Sequence, residues 1–329
     1  MRFVTYADDG APTAGVVLPG DAERVLALRW AAEALGAPAA LEPEALADLP
    51  SLFATGPAGL DAVRELVEDA TRGDTAELSS PLAELRPLAP IPRPPRLRDY
   101  LTYQGHASGA DFELAPVYDE LPVGYDGNPN SVIGPDDEIL WPAYTEQLDY
   151  ELELAIVIGM AGRDIPVARA HEHIAGVTLL NDVSARDIQG HEMTGLLGPA
   201  KGKHFCNVLG PAVMTLDGVD EDELRMEARV NGEIWSTGRS GGRAYSLAEI
   251  VAWASFGEDL QPGEILGVGT IAGGCGLELG RWLAPGDVVE LELEGMGVLR
   301  NRVGERASAG AAGIPSYTGS PPFKSPTST

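Results

Sequence analysis

Two glutamates spaced two residues apart carry the strongest chemical signal in this chain. In LDYELELAIVIG, Leu148 to Gly159, Glu151 and Glu153 flank Leu152 inside an otherwise apolar run. Strand side chains alternate faces, so on a strand over Leu148–Ile158 both carboxylates point the same way. Like charges that close repel, and burial makes each costlier. A cation between them turns repulsion into coordination and calls for further oxygen donors nearby. Asp182 is a candidate, at the end of the apolar run VTLLND, where a strand tip would present it. Asp99, just after a proline-rich stretch, is another. Four oxygen donors with no clustered Cys or His favour a hard cation, Mg2+ first, then Ca2+ or Mn2+, over zinc. The competing reading is a solvated strand face, with the glutamates outward and Leu152 and Leu154 inward. Spacing alone leaves both open.

The elements that must position these residues follow from local pattern. Residues 2–7 and 14–18 read as short strands around the turn DDGAPT, followed by helices over Ala22–Leu35 and Leu60–Thr71, the second ending at Gly73. Four prolines, Pro90, Pro92, Pro94 and Pro95, then fall within six residues. No helix or central strand continues through such a run. It reads as a linker leaving a small N-terminal α/β domain of residues 1–90. The chain beyond it is strand-rich. Pro166–Ile174 suits a short helix and Val177–Val183 a strand. Asn231-Gly232 within ARVNGEIWST is a strong hairpin signal. Ser246 and Glu249 form a capping box that opens a helix through Trp253. Strands are expected at Ile265–Thr270 and Val288–Leu293, with a turn at Pro285-Gly286-Asp287. Residues 307–329 are small, polar and Pro/Ser-rich and read as a disordered tail.

Several blocks, taken in order over about residues 97–303, resemble the fumarylacetoacetate hydrolase family. RDYLTYQGH (98–106) is similar to a block in which an aspartate ligand precedes the catalytic histidine by seven residues, as Asp99 precedes His106. LPVGYDG (121–127) resembles a substrate-loop segment, LDYELELAIVIG the ligand strand, and NDVSARDIQ (181–189) the block with the last metal ligand. LGPAKGKHF (197–205) resembles the block with the active-site lysine. GTIAGGCGLE and LAPGDVVELELEGMGVLRN resemble the C-terminal signature. The resemblance implies an α+β, mostly β fold, a mixed β-roll, over residues 91–306, with a divalent metal and a homodimer. It implies metal ligands Asp99, Glu151, Glu153 and Asp182, a general base His106, oxyanion-stabilising Gln189 and Lys203, and a substrate site shaped by Tyr125, Arg186, Gln189, Lys203 and Thr270.

The best-known reaction of that family is hydrolytic cleavage of a carbon–carbon bond in a 1,3-diketo acid. A divalent cation polarises the attacked carbonyl and holds enolate charge, and a neutral imidazole takes the proton of water. An acid must orient that imidazole. Glu278 is the candidate from its place in the C-terminal block, and Asp111 and Glu113 are alternatives. Two departures bear on substrate. ASGADFELAPVYDE (107–120) contains no Arg or Lys, where members acting on fumarylacetoacetate place an arginine. Met193 stands four residues after Gln189, where those members have tyrosine. An acylpyruvate or another 2-keto acid fits as well. Three functions compete: the hydrolase; an isomerase, hydratase or decarboxylase of a 2-keto dicarboxylate at the same site; and a silent binding protein on an enzyme scaffold.

Composition narrows the partners. The formal net charge is −27, from 23 basic against 50 acidic residues. That balance opposes nucleic acid and anionic membrane. No apolar run approaches the roughly 20 residues a membrane helix needs, and the N-terminus lacks the basic-then-apolar shape of a signal peptide. A cytoplasmic protein acting on a small molecule is the expectation, with Cys206 and Cys275 as reduced thiols. His171-Glu172-His173 is discounted as a metal site, because residues two apart on a helix point about 200° apart. His191 and His204 read as structural. GVGTIAGGCG lacks the lysine of a phosphate loop. Cys275 has no evident neighbouring base, which argues against a catalytic thiol.

Overall fold

The computed structural model describes residues 1–20, 23–36, 38, 41–72, 76–110 and 114–308. Ala22, Gly73, Asp111, Glu113 and the tail beyond 308 lie outside the described residues.

The fold is α+β and strand-dominated, built around two packed sheets. The larger sheet runs, edge to edge, through Ser79–Pro81, Arg24–Ala27, Ala11–Val17, Arg2–Asp8, Asn207–Met214, Ile174–Asn181, Glu151–Ile158, Ile265–Cys275, Leu97–Tyr100 and Gly124–Asp126. Most neighbours are antiparallel; Leu97–Tyr100 joins Ile265–Cys275 in parallel. The second sheet has five strands in the order Glu233–Arg239, Arg225–Val230, Val288–Leu293, Gly297–Arg306 and Glu138–Trp141.

The glutamate strand lies in the middle of the larger sheet, and all eight of its residues are buried. A solvated glutamate face is therefore ruled out. Leu152, Leu154, Ile156 and Ile158 pack with Met226, Ala228 and Leu291 of the second sheet. On the opposite face, Ala155 and Val157 join a second core with Phe3, Leu26, Leu52 and Leu66, and Glu151 and Glu153 occupy the rest. Full burial of a Leu or Ile side chain contributes about 1.5–3 kcal/mol. Apolar packing thus holds a strand in place that carries two carboxylates into the interior.

Residues before 90 extend this same sheet, because Arg2 and Phe3 pair with Met214 and Val213. The expected helix over Ala22–Leu35 is corrected. Arg24–Ala27 is a strand between Ala11–Val17 and Ser79–Pro81, and helix begins only at Leu28. Pairing with two strands overrides helical pattern where Val25 and Leu26 can be buried on the sheet. The second helix starts earlier than expected, at Gly56, and runs to Arg72. The proline run forms neither helix nor strand, and Thr5 donates to the Pro90 carbonyl at 2.7 Å.

Leu148–Ile158 is interrupted: Leu148–Asp149 pairs instead with Ser184–Ala185. Val167–His173 is a 3₁₀ helix. Asn231 and Gly232 take the positive φ values, 53° and 79°, of a tight hairpin turn. Among the described residues no helix is long and apolar enough to cross a membrane.

The capping box is present in full. The Glu249 amide donates to Ser246 Oγ at 3.2 Å and the Ser246 amide to Glu249 Oε2 at 2.8 Å, opening the helix Leu247–Ser255. Ser246→Ala should lower unfolding free energy by about 1 kcal/mol in urea denaturation. An unchanged midpoint would show that the helix is held by packing alone.

Candidate metal and acid–base site

Four segments converge to form the site. Glu151 and Glu153 come from the central strand. Asp99 lies on the strand Leu97–Tyr100, and Asp182 follows directly after Ile174–Asn181. The fourth segment, Ile265–Cys275, is glycine-rich and bulged against the central strand on both sides of Glu153. Bulges re-aim side chains at such places. Gly267 pairs with Asp99. A Cβ there would lie 2.3 Å from Asp99 Oδ1, so only glycine leaves room for the carboxylate.

Asp99, Glu153 and Asp182 each present a carboxylate oxygen within 4.8 Å of the other two, and all three residues are buried. Each also keeps one oxygen, Asp99 Oδ1, Glu153 Oε2 and Asp182 Oδ1, without a hydrogen-bond partner among the described residues. Their other contacts are specific. Thr270 Oγ1 donates to Glu153 Oε1 at 2.9 Å. Tyr125 OH donates to Asp182 Oδ2, which also accepts from Lys203 Nζ at 2.6 Å. Three orphaned, buried carboxylate oxygens in one place are costly unless a cation meets them. An all-oxygen donor set suits Mg2+ or Mn2+, so these residues fit a divalent ion.

Glu151, expected in the same shell, is arranged differently. Lys203 Nζ bridges its Oε2 to Asp182. Its Oε1 lies 2.7 Å from Arg186 Nη2, an ion-pair contact without hydrogen-bond geometry. The four acids thus stand as three plus one, with an ammonium between the groups.

His106 sits on the short helix Gln104–Gly109. Its Nδ1 is 2.7 Å from Glu278 Oε1, and its Nε2 is 3.9 Å from Glu151 Oε1. Glu278 is itself fixed, because its Oε2 accepts from the Gly273 amide at 2.7 Å. A Cβ on Gly109 would lie 2.2 Å from Glu278 Oε2, so glycine allows the helix and the Glu278 loop to meet. The expectation that Cys275 lacks a neighbouring base is corrected. Its Sγ is 3.9 Å from His106 Nδ1 and 3.5 Å from Glu278 Oε1.

Arg186 is buried behind the glutamate strand. Its Nε donates to Asp149 Oδ2 at 2.8 Å, and its Nη1 donates to Gln189 Oε1 at 3.1 Å. Asp149 also accepts from the amides of Gly276 and Leu277, at 2.7 and 3.0 Å. Sequence reasoning passed over Asp149. The signal was available, because Asp149, Glu151 and Glu153 continue one period of two. His171 is a surface side chain near Glu221, and His173 Nδ1 meets the Met160 carbonyl, so the pair forms no site. His204 bonds the Asp126 carbonyl and stacks on Tyr125.

Electrostatics separate the acids. Burial, then the Asp182 charge, pushes Asp99 up to about 8. Burial and the Asp99 charge hold Glu153 well above the ordinary carboxylate range. Burial likewise raises Asp182, against the pull of Lys203. Burial also acts upward on Glu151, but Arg186 and Lys203 overcome it and hold this carboxyl below its usual value. The group of three is therefore short of positive charge, and Glu151 is not.

Residues 97–304 match the family model described as fumarylacetoacetate (FAA) hydrolase C-terminal. The mitochondrial oxaloacetate tautomerase FAHD2A of Homo sapiens is 35% identical over 228 residues, covering 68% of this chain and 71% of that protein. The oxaloacetate tautomerase YisK of Bacillus subtilis is 32% identical over 234 residues, covering 68% and 74%. A solved 2-hydroxyhepta-2,4-diene-1,7-dioate isomerase from Mycobacterium marinum superposes with a TM-score of 0.65 at 27% identity, over 93% of this chain and 98% of that one. A fumarylacetoacetate hydrolase from Exiguobacterium antarcticum gives 0.68 at 26%, over 93% and 100%.

Asp99 links metal to pH. Its carboxyl ionises near 3.8 in an unfolded chain and near 8 in the metal-free fold. Between those values the folded state binds more protons, so metal-free stability falls as pH rises. A divalent ion takes the place of the proton. Added Mg2+ should therefore raise the melting temperature more at pH 8 than at pH 5. Equal increments at both would contradict the assignment.

Proposed function

Because the chain belongs to the fumarylacetoacetate hydrolase family, we propose that it is a divalent-metal enzyme. It moves a proton at the carbon beside the carbonyl of a small 2-keto dicarboxylic acid and interconverts the keto and enol forms. The observation that carries this reading is the His106–Glu278 pair. Nδ1 is held at 2.7 Å by a fixed carboxylate, which leaves Nε2 available as a base beside the acid cluster.

Asp99, Glu153 and Asp182 would hold the ion, which supplies Lewis acidity at the carbonyl oxygen when bound. Glu278 keeps the His106 ring proton on Nδ1 and stabilises the imidazolium once Nε2 takes the proton from carbon. The carbon–hydrogen electron pair becomes the new carbon–carbon double bond, and the proton is delivered to the carbonyl oxygen, so no atom is gained or lost. Lys203, an ammonium between Glu151 and Asp182, donates toward charge developing on that oxygen. Arg186 and Asp149 position Glu151 and the loop bearing Cys275 and Glu278, while Gln189 is tied to Arg186. Thr270 and Tyr125 orient Glu153 and Asp182 through their hydroxyls.

Two further facts favour a compact keto acid. Residues 107–120 supply no Arg or Lys for a distal carboxylate. The relatives of 35% and 32% identity are named oxaloacetate tautomerases. Carbon–carbon hydrolysis of a 1,3-diketo acid is the second reading, because the same His–Glu pair can activate water and one structural relative is a fumarylacetoacetate hydrolase. Products separate the two: only hydrolysis yields two fragments.

With oxaloacetate and Mg2+, enol decay followed by ultraviolet absorbance should show catalysis. His106→Asn should lower kcat by about 10²–10⁴-fold, the usual contribution of a general base, with Mn2+ affinity unchanged. Undiminished turnover in that variant would sink the mechanism. Absence of turnover on both oxaloacetate and acylpyruvates in the wild type would leave a binding scaffold.

A further inference from the structure

Beside the all-oxygen group lies a second donor set of different chemistry. His106, Glu151 and Cys275 are buried and each presents a donor atom within 4.8 Å of the others. Glu278 Oε1 adds a fourth donor, 2.7 Å from His106 Nδ1 and 3.5 Å from Cys275 Sγ, while Sγ and Nδ1 are 3.9 Å apart. In tetrahedral zinc sites, bonds of about 2.3 Å to sulfur and about 2.0–2.1 Å to nitrogen put neighbouring donors about 3.5 Å apart. The two spacings from Cys275 Sγ, 3.5 and 3.9 Å, are close to that, whereas the 2.7 Å between His106 Nδ1 and Glu278 Oε1 is a hydrogen bond that lengthens when an ion replaces its proton. A thiolate with imidazole and carboxylate selects Zn2+ or Cd2+, whereas carboxylates alone select Mg2+ or Mn2+.

We infer that Cys275, His106 and Glu278, with Glu151 alongside, form an inhibitory site for a soft divalent ion, separate from the Asp99–Glu153–Asp182 group. Binding replaces the thiol proton, which leaves to buffer. Metal on His106 Nδ1 displaces the proton that this atom shares with Glu278 and forces the ring proton onto Nε2. The lone pair that would accept a proton from substrate is then gone. The inhibitory consequence rests on His106 being the base; the binding itself does not.

The test is titration of Cd2+ into the full-length protein in saturating Mg2+, read by cadmium–thiolate absorbance in the ultraviolet. One equivalent should produce the band in the wild type and in Cys206→Ser, and none should appear in Cys275→Ser. His106→Asn should keep the thiolate band but weaken Cd2+ binding at least tenfold, which covers the case in which Cys275→Ser fails to fold. Zn2+ should inhibit turnover without relief by excess Mg2+. No band in the wild type, or a band that survives in folded Cys275→Ser, would overturn the inference. So would inhibition that Mg2+ reverses, because the ion would then sit among the three acids. If no keto acid is turned over, the functional reading fails while the absorbance still decides the site.

Discussion

The constraint on which the rest of the structure depends is a shortage of positive charge at the centre of a buried sheet. Asp99, Asp149, Glu151, Glu153, Asp182 and Glu278 gather around one strand and its neighbours, and among the described residues Arg186 and Lys203 are the cations ion-paired with them. These two cations are committed to Asp149, Glu151 and one oxygen of Asp182. What they leave uncompensated is Asp99, Glu153 and the other oxygen of Asp182, where burial and mutual repulsion raise every carboxyl. A doubly charged ion would relieve this at the point where hydrogen bonds are missing among the described residues.

The fold exists to carry that cost. Leu152, Leu154, Ile156 and Ile158 lock the strand onto the second sheet, and Ala155 and Val157 lock its other face onto a core that includes the N-terminal helices. With every residue of the strand inside, the carboxylates cannot swing out to water. Glycines then admit neighbours at contact distance: Gly267 makes room for Asp99 and Gly109 for Glu278. Asp149 ties the construction together, since one carboxylate holds Arg186 and the first amides of the short helix Gly276–Leu279.

Much of this was legible in the sequence, and the limits have physical causes. The glutamate strand, the Asn231-Gly232 hairpin and the Ser246–Glu249 capping box are written in local pattern, where period and turn chemistry act over a few residues. Whether Glu151 and Glu153 faced solvent was not legible, because alternation looks the same on an edge strand and at a sheet centre. Pairing between distant segments decided it. The same non-local pairing turned Arg24–Ala27 into a strand within a helical pattern. Glu278 as the partner of His106 came from a resemblance, not from spacing, since 172 residues separate them. The neighbourhood of Cys275 was invisible for the same reason: its bases arrive from other segments.

The most direct measurement is anomalous diffraction from crystals grown with Mn2+. One strong peak is expected within bonding distance of Asp99 Oδ1, Glu153 Oε2 and Asp182 Oδ1. A peak bound elsewhere, or none with these three oxygens left bare, would contradict it.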